Sequence, residues 1–223
     1  MTKNSQLIKK LVGLATLTAI VIVLQYFSGY MVIGSISITL ALLPIAMGAI
    51  LYGPLAGFFL GAVMGIIVLI DKGTQVFLNI NVFATIVICI FKSGLAGLCA
   101  GYLFKLFAHF AKKVDNEKKG IALFTAGVIT ASIITSVVNT GLFILGATIF
   151  FRPLFGNFMG VVTAVLTTNF AIEVAVCAVL SPAVVTLIKI LTSKYDLAFA
   201  NDFSRFNELD KEEIFDKEEV LQN

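Results

Sequence analysis

Charge is what this 223-residue chain has least of. Asp, Glu, Lys and Arg make up 13% of it and hydrophobic residues 59%, whereas a soluble domain carries about 25% charged residues. A soluble protein of this size could not hide so much apolar surface in one core, so lipid is the solvent for most of the chain. The net charge of +3 is spread over the ends and one loop rather than gathered in a patch, which gives nucleic acid nothing to bind. Cysteine is scarce as well. Cys89, Cys99 and Cys177 each lie in an apolar run and none forms a C-x-x-C pair, so they read as small buried hydrophobes. The single histidine, His109, has no other ligand type beside it, and no metal site, cofactor or disulfide framework is expected. The signatures G-x-x-x-x-G-K-[ST], H-E-x-x-H and G-x-S-x-G are missing, and Glu173 has no second acidic residue to share a metal with. An enzyme is not expected. Two matched halves with broken helices, the mark of many secondary transporters, are not visible either.

What is present is organised around Thr39 to Ile70, an uncharged stretch broken once at Tyr52-Gly53-Pro54. From the break onward glycine recurs every fourth residue, at Gly53, Gly57, Gly61 and Gly65. On a helix that spacing forms one smooth stripe for helix packing, and Pro54 suits a first helical turn. The stretch reads as two apolar helices folded back through a tight turn.

Five or six spans of about 20 residues account for most of the length, and the expected fold class is an all-α membrane protein with six transmembrane helices. Span one follows the basic start and runs from Leu11 to Phe27. It is long for a signal peptide, and bulky Gln25-Tyr26-Phe27 offers no clean cleavage site. Ser28 to Ser37 reads as an external loop, Ile38 to Leu51 as a short span two, and Pro54 to Ile70 as span three. Asp71 to Asn81 reads as a second external loop. Span four covers Val82 to Phe110, span five Ile121 to Phe150 and span six Phe158 to Leu191, with a charged loop at Lys112–Lys119 and an external turn at Arg152-Pro153. Residues 1–193 form one membrane domain and 194–223 an acidic cytoplasmic tail. Lysines gather at both ends and in the Lys112–Lys119 loop, against Lys72 and Arg152 on the other side. The positive-inside rule places both termini in the cytoplasm of a multi-pass plasma-membrane protein.

Two ionisable residues stand inside the spans, Lys92 and Glu173. Each costs about 2.5–3.5 kcal/mol at the bilayer centre and should face protein or water. Counted from the external helix ends at about 1.5 Å per residue, Lys92, Asn139 and Asn169 share a level about 15–20 Å below the outer surface, with Glu173 one turn deeper. Asn81, Thr85 and Lys92 lie along one stripe of span four. Ser132, Thr135 and Asn139 do so in span five, and Asn169 and Glu173 are i, i+4 in span six. Polar stripes on three helices are what a substrate cavity needs. The competing reading is a buried Lys92–Glu173 pair, with amide side chains gluing a structural bundle.

The Thr39–Ile70 stretch, LLPIAMGAILYGPLAGFFLGAVMGIIVLI in particular, resembles the substrate-binding S components of energy-coupling-factor (ECF) vitamin transporters. The likeness extends over about Leu7 to Leu191 in span count, short second span and cytoplasmic termini. It implies capture of a small vitamin from outside and delivery together with a transmembrane coupling (T) subunit and two ATPase subunits. Ala15-x-x-x-Ala19 matches the small-residue motif by which such components dock on the coupling subunit. The polar stripes, read as a cavity, make Asn81, Thr85, Lys92, Thr135, Asn139, Asn169 and Glu173 the candidate vitamin site. One cation and several amides suit a small anion with hydroxyl and amide groups. The PIAMGAILYGPLAG and NTGLFILG runs look most like the pantothenate branch. Riboflavin, folate, nicotinate, biotin and corrinoids stay open, and few aromatic residues are expected at the cavity level. The alternative function is a stand-alone carrier or channel for a small solute.

Overall fold

The structure is a computed structural model that describes residues 3–29, 32–33, 36–37, 39–114, 117–151 and 170–194. The predicted turn at Arg152-Pro153, the first part of the predicted sixth span, Asn169 and the tail beyond Lys194 lie outside the described residues.

The first helix, α1, runs over Lys3–Ser28. A hairpin of two very short strands follows, β1 (Val32–Ile33) and β2 (Ile36–Ser37), pairing Val32 with Ser37 and Ile33 with Ile36. The chain then turns into α2 (Leu42–Tyr52) and α3 (Pro54–Val68), which are separated only by Gly53. Gly53 takes φ 99°, where an L side chain is strained, and Pro54 starts the next helix where its missing N–H costs no hydrogen bond. The segment expected as a loop at Asp71–Asn81 is instead a nine-residue helix, α4 (Lys72–Ile80), bent 83° from α3. Lys72 and Gly73 disguise it, but Val76 and Ile80 repeat at helical spacing.

Asn81 ends α4 and caps α5 (Val82–Lys112), its carboxamide oxygen accepting from the Ala84 N–H at 3.0 Å. The sixth helix, α6, spans Glu117–Phe150, and α7 spans Ala171–Lys194. Pro182 sits inside α7 and cannot donate to the Ala178 carbonyl. The Ser181 hydroxyl donates to that carbonyl instead, at 2.8 Å, so the helix continues through the proline.

Among the described residues the architecture is helical apart from the small hairpin. Among the described residues, Leu7–Ser28, Val82–Lys112 and Lys119–Phe150 are long and apolar enough to cross a membrane, and the bent α3–α4 pair qualifies as a fourth broken span. The α2 helix and Glu173–Ile188 of α7 are apolar but shorter. The core collects Leu17 and Val21 of α1, Leu42 and Ile45 of α2, Leu60 and Met64 of α3, Phe104 of α5, Val128 of α6 and Ile188 of α7.

The tightest contact is between α3 and α5. A Cβ at Gly57 would lie 2.5 Å from the Gly97 carbonyl oxygen, and one at Gly61 or Gly65 would fall on the carbonyls of Ser93 or Cys89. In return a Cβ at Gly101 would lie 2.6 Å from the Pro54 Cα. Backbone meets backbone along four turns, and only glycine fits there.

Candidate substrate site

The helix α5 presents glycine to α3 and polar groups to α6. Next to Gly94 and Gly97, Ser93 is fully buried and its hydroxyl donates to the Asn139 carboxamide of α6 at 3.2 Å. Asn139 is itself 3% exposed. One residue earlier on α5, the Lys92 ammonium lies over the Phe143 ring of α6, 5.1 Å from its centroid. That geometry gives the cation an electron-rich face. Among the described residues Lys92 makes no ion pair.

Glu173, near the start of α7, is 2% exposed. One of its carboxylate oxygens accepts from Thr140 at 3.2 Å and from Ser136 at 3.3 Å, both on α6. Thr39, just before α2, adds a third hydroxyl. Hydrogen bonds to a charged group are worth about 1.5–3 kcal/mol each, so three hydroxyls offset part of the cost of burying this carboxyl. Lys92 acts on Glu173 through its charge, but the two are not locked as a contact pair.

The other predicted site residues divide by what occupies their polar atoms. Asn81 is exposed and caps α5. Thr85 is buried and donates to the Asn81 backbone carbonyl at 2.8 Å. Thr135 is buried and donates to the Ala131 carbonyl at 2.8 Å. Asn169 lies outside the described residues. The structure thus brings Lys92, Asn139 and Glu173 to one side of α5 and ties Asn81, Thr85 and Thr135 to backbone.

Sequence reasoning missed several participants. Ser136 and Thr140 are i, i+4 on α6, the one spacing that could have paired them to a single acceptor. Ser93 hid beside the lysine. Aromatic rings are also closer than expected. Phe77 of α4 packs edge-on to Phe143 at 5.6 Å and to Phe151 at 5.0 Å, walling the Lys92 side. Asp71, in the corner between α3 and α4, accepts from Gln25 Nε2 of α1 at 3.1 Å and feels the Lys92 charge.

On α1, Leu17, Val21, Gln25 and Ser28 point inward. The opposite face is open: Ala15 and Ala19 are exposed, with Val12, Ile20 and Val23 around them.

A family model described as "ECF transporter, substrate-specific component" matches residues 9–185. That is most of the chain, and it takes in all or part of every helix above. The chain belongs to this family. Members are membrane-embedded transporter subunits, not enzymes, and they capture a substrate for an ECF transporter in association with T and ATPase subunits. Comparison with curated proteins and with solved structures finds no match. An S component needs one site for its cargo and one surface for its partners. The polar side of α5 and the open face of α1 are two separate regions of this molecule.

Proposed function

We propose that this S component captures a small anionic vitamin, pantothenate first among the candidates, and that Lys92 is the group that receives its carboxylate. The observation that carries the reading is the state of Lys92. It is a half-buried ammonium inside a helical bundle, held by a ring face rather than by a carboxylate. Such a cation is expensive in lipid and has the capacity for an anion. Glu173 and its hydroxyl shell offer acceptors, and Asn139 an amide, for the hydroxyl and amide groups of the same molecule. Asn81, Thr85, Thr135 and Asn169 complete the proposed site. Phe143 is already engaged beneath the ammonium, which leaves the non-aromatic pantothenate as the first choice.

The site opens to the outside of the plasma membrane, both termini are cytoplasmic, and six spans carry residues 1–193, with 194–223 as an acidic tail. Ala15 and Ala19 dock on the T subunit, which couples the loaded S component to two ATPase subunits. The exposure of both alanines on α1 supports that role.

The test is mass spectrometry of small molecules released from protein purified in mild detergent, followed by binding to Lys92→Met. Pantothenate at near-equal stoichiometry, with at least ~100-fold weaker binding in the variant, is the expected result. Unchanged affinity in a folded Lys92→Met protein would remove Lys92 from the site. Release of a different vitamin would replace the substrate and leave the class intact.

A further inference from the structure

The outer end of α1 holds a polar group with no role so far. Gln25 is 2% exposed, and its Nε2 donates to Asp71. Its Oε1 is buried and is the one such side-chain atom without a hydrogen-bond partner among the described residues. A buried amide oxygen without a donor costs about 1–3 kcal/mol. Nearby polar groups are spent: the Ser28 hydroxyl donates to the Leu24 carbonyl at 2.7 Å and accepts from the Leu40 N–H at 3.3 Å. The Asp71 carboxyl lies close against the chain end of α1, where a Cβ at Gly29 would sit 2.9 Å from its Oδ1.

We propose that Asp71 and Gln25 form a proton-binding site, and that a proton bound there favours an anion at Lys92. The proposal rests on the reading of Lys92 as the anion's partner. A proton from solvent converts the Asp71 carboxylate to the acid, and the new O–H donates to Gln25 Oε1. The amide N–H already donates to the other carboxyl oxygen, so acid and amide then share two reciprocal bonds and the orphan is satisfied.

The charge pattern gives the coupling its direction. Lys92 is the ammonium that acts on both Asp71 and Glu173. With both acids ionised, an arriving anion meets two negative charges and one positive. With Asp71 protonated it meets a balanced pair, and Lys92 has one acid fewer to serve. The other groups near Asp71 are Cys89 of α5, which senses both Asp71 and Lys92, and Lys72, exposed and next in the chain. Proton and anion therefore bind with positive linkage, and the anion's affinity rises as pH falls through the Asp71 titration.

Two measurements decide it. Infrared difference spectra of the ligand-free protein against pH should show a titrating carboxyl band that is absent in Asp71→Asn. In Gln25→Leu, which removes the hydrogen-bond partner, the band should move to higher frequency. Calorimetry with pantothenate in two buffers of different ionisation enthalpy should show net proton uptake on binding, and an affinity that gains up to about tenfold per pH unit on acidification. Asp71→Asn, whose amide reproduces the protonated acid, should bind without proton uptake and with a flat pH profile. No Asp71 band in the spectra, or the same proton uptake in Asp71→Asn, would overturn the proposal. If pantothenate does not bind at all, the substrate reading falls, and the infrared arm alone decides the proton site.

Discussion

Two faces of α5 follow opposite rules. Toward α3 it offers Gly97 and Gly101, which meet the backbone of Gly57 and Pro54, and Gly94, which receives the Phe58 ring. Toward α6 it offers Lys92 and Ser93, and the contact is polar side chain on polar side chain or ring. The first face gains its stability from close approach, because lipid supplies no hydrophobic drive between helices. The second gives up apolar packing for groups that need partners or a ligand. One residue of offset along a helix turns the face by about 100°, so a single helix carries both without mixing them.

The hardest break in this comparison is on the glycine side. Gly61→Leu puts a side chain where the Ser93 carbonyl stands. The expected result is loss of the folded protein, at least about 3 kcal/mol of destabilisation, read as aggregation on size-exclusion chromatography in detergent. Survival of a monodisperse Gly61→Leu protein with unchanged melting temperature would mean that the seam is not close-packed.

On the polar side the largest effect is expected at Glu173. Glu173→Leu strands the Ser136 and Thr140 hydroxyls and removes the acid that faces Lys92. Binding of the released vitamin should fall at least ~100-fold while the helix content by circular dichroism is kept. Glu173→Gln, which preserves an acceptor, should recover most of the stability but only part of the affinity. Equal affinity for Leu and Gln variants would make the carboxylate a packing element.

A third surface sharpens the contrast because it touches neither face. Ala15→Trp with Ala19→Trp adds bulk to the exposed side of α1. Binding should stay within about twofold, and co-purification with T and ATPase subunits should be lost. Recovery of the intact complex would remove the docking role from these alanines.

The smallest effect belongs to a glycine that the seam does not use. Nothing lies within 4 Å of a Cβ built at Gly141 on α6. Gly141→Ala should leave stability unchanged or raise it by about 0.5–1 kcal/mol through helix propensity, measured as the melting temperature beside Gly61→Leu. A large loss would break the distinction between glycines that meet backbone and glycines that meet space.

The seam was legible because its signal is local and periodic. Gly57, Gly61 and Gly65 repeat within one helix, and Gly53-Pro54 marks a turn by residue type alone. The α4 helix was hidden because Asp71, Lys72 and Gly73 are loop formers by composition, while its apolar repeat is only nine residues long. The site was legible as far as charge rarity carries. Lys92 and Glu173 stand out in an apolar chain whatever its fold. Their companions do not. Ser and Thr occur on every face of α6 and often bond to their own helix, as Thr135 does, so nothing local separates Thr135 from Ser136. Gln25 and Asp71 are joined across 46 residues, and only the fold of α1 over the α3–α4 corner brings them together.

A seam built mainly of glycine backbone has few rotamers to exchange. Helices that meet through side chains can slide by small repacking steps, whereas carbonyls lodged against Cα atoms allow no such shear. The α3 and α5 helices therefore move as a single stiff plate, with Lys92 mounted on it. The contacts of that plate with α6 and α1 are made by side chains and can repack. The exposed Ala15 and Ala19 of α1 lie on the back of that last, compliant contact.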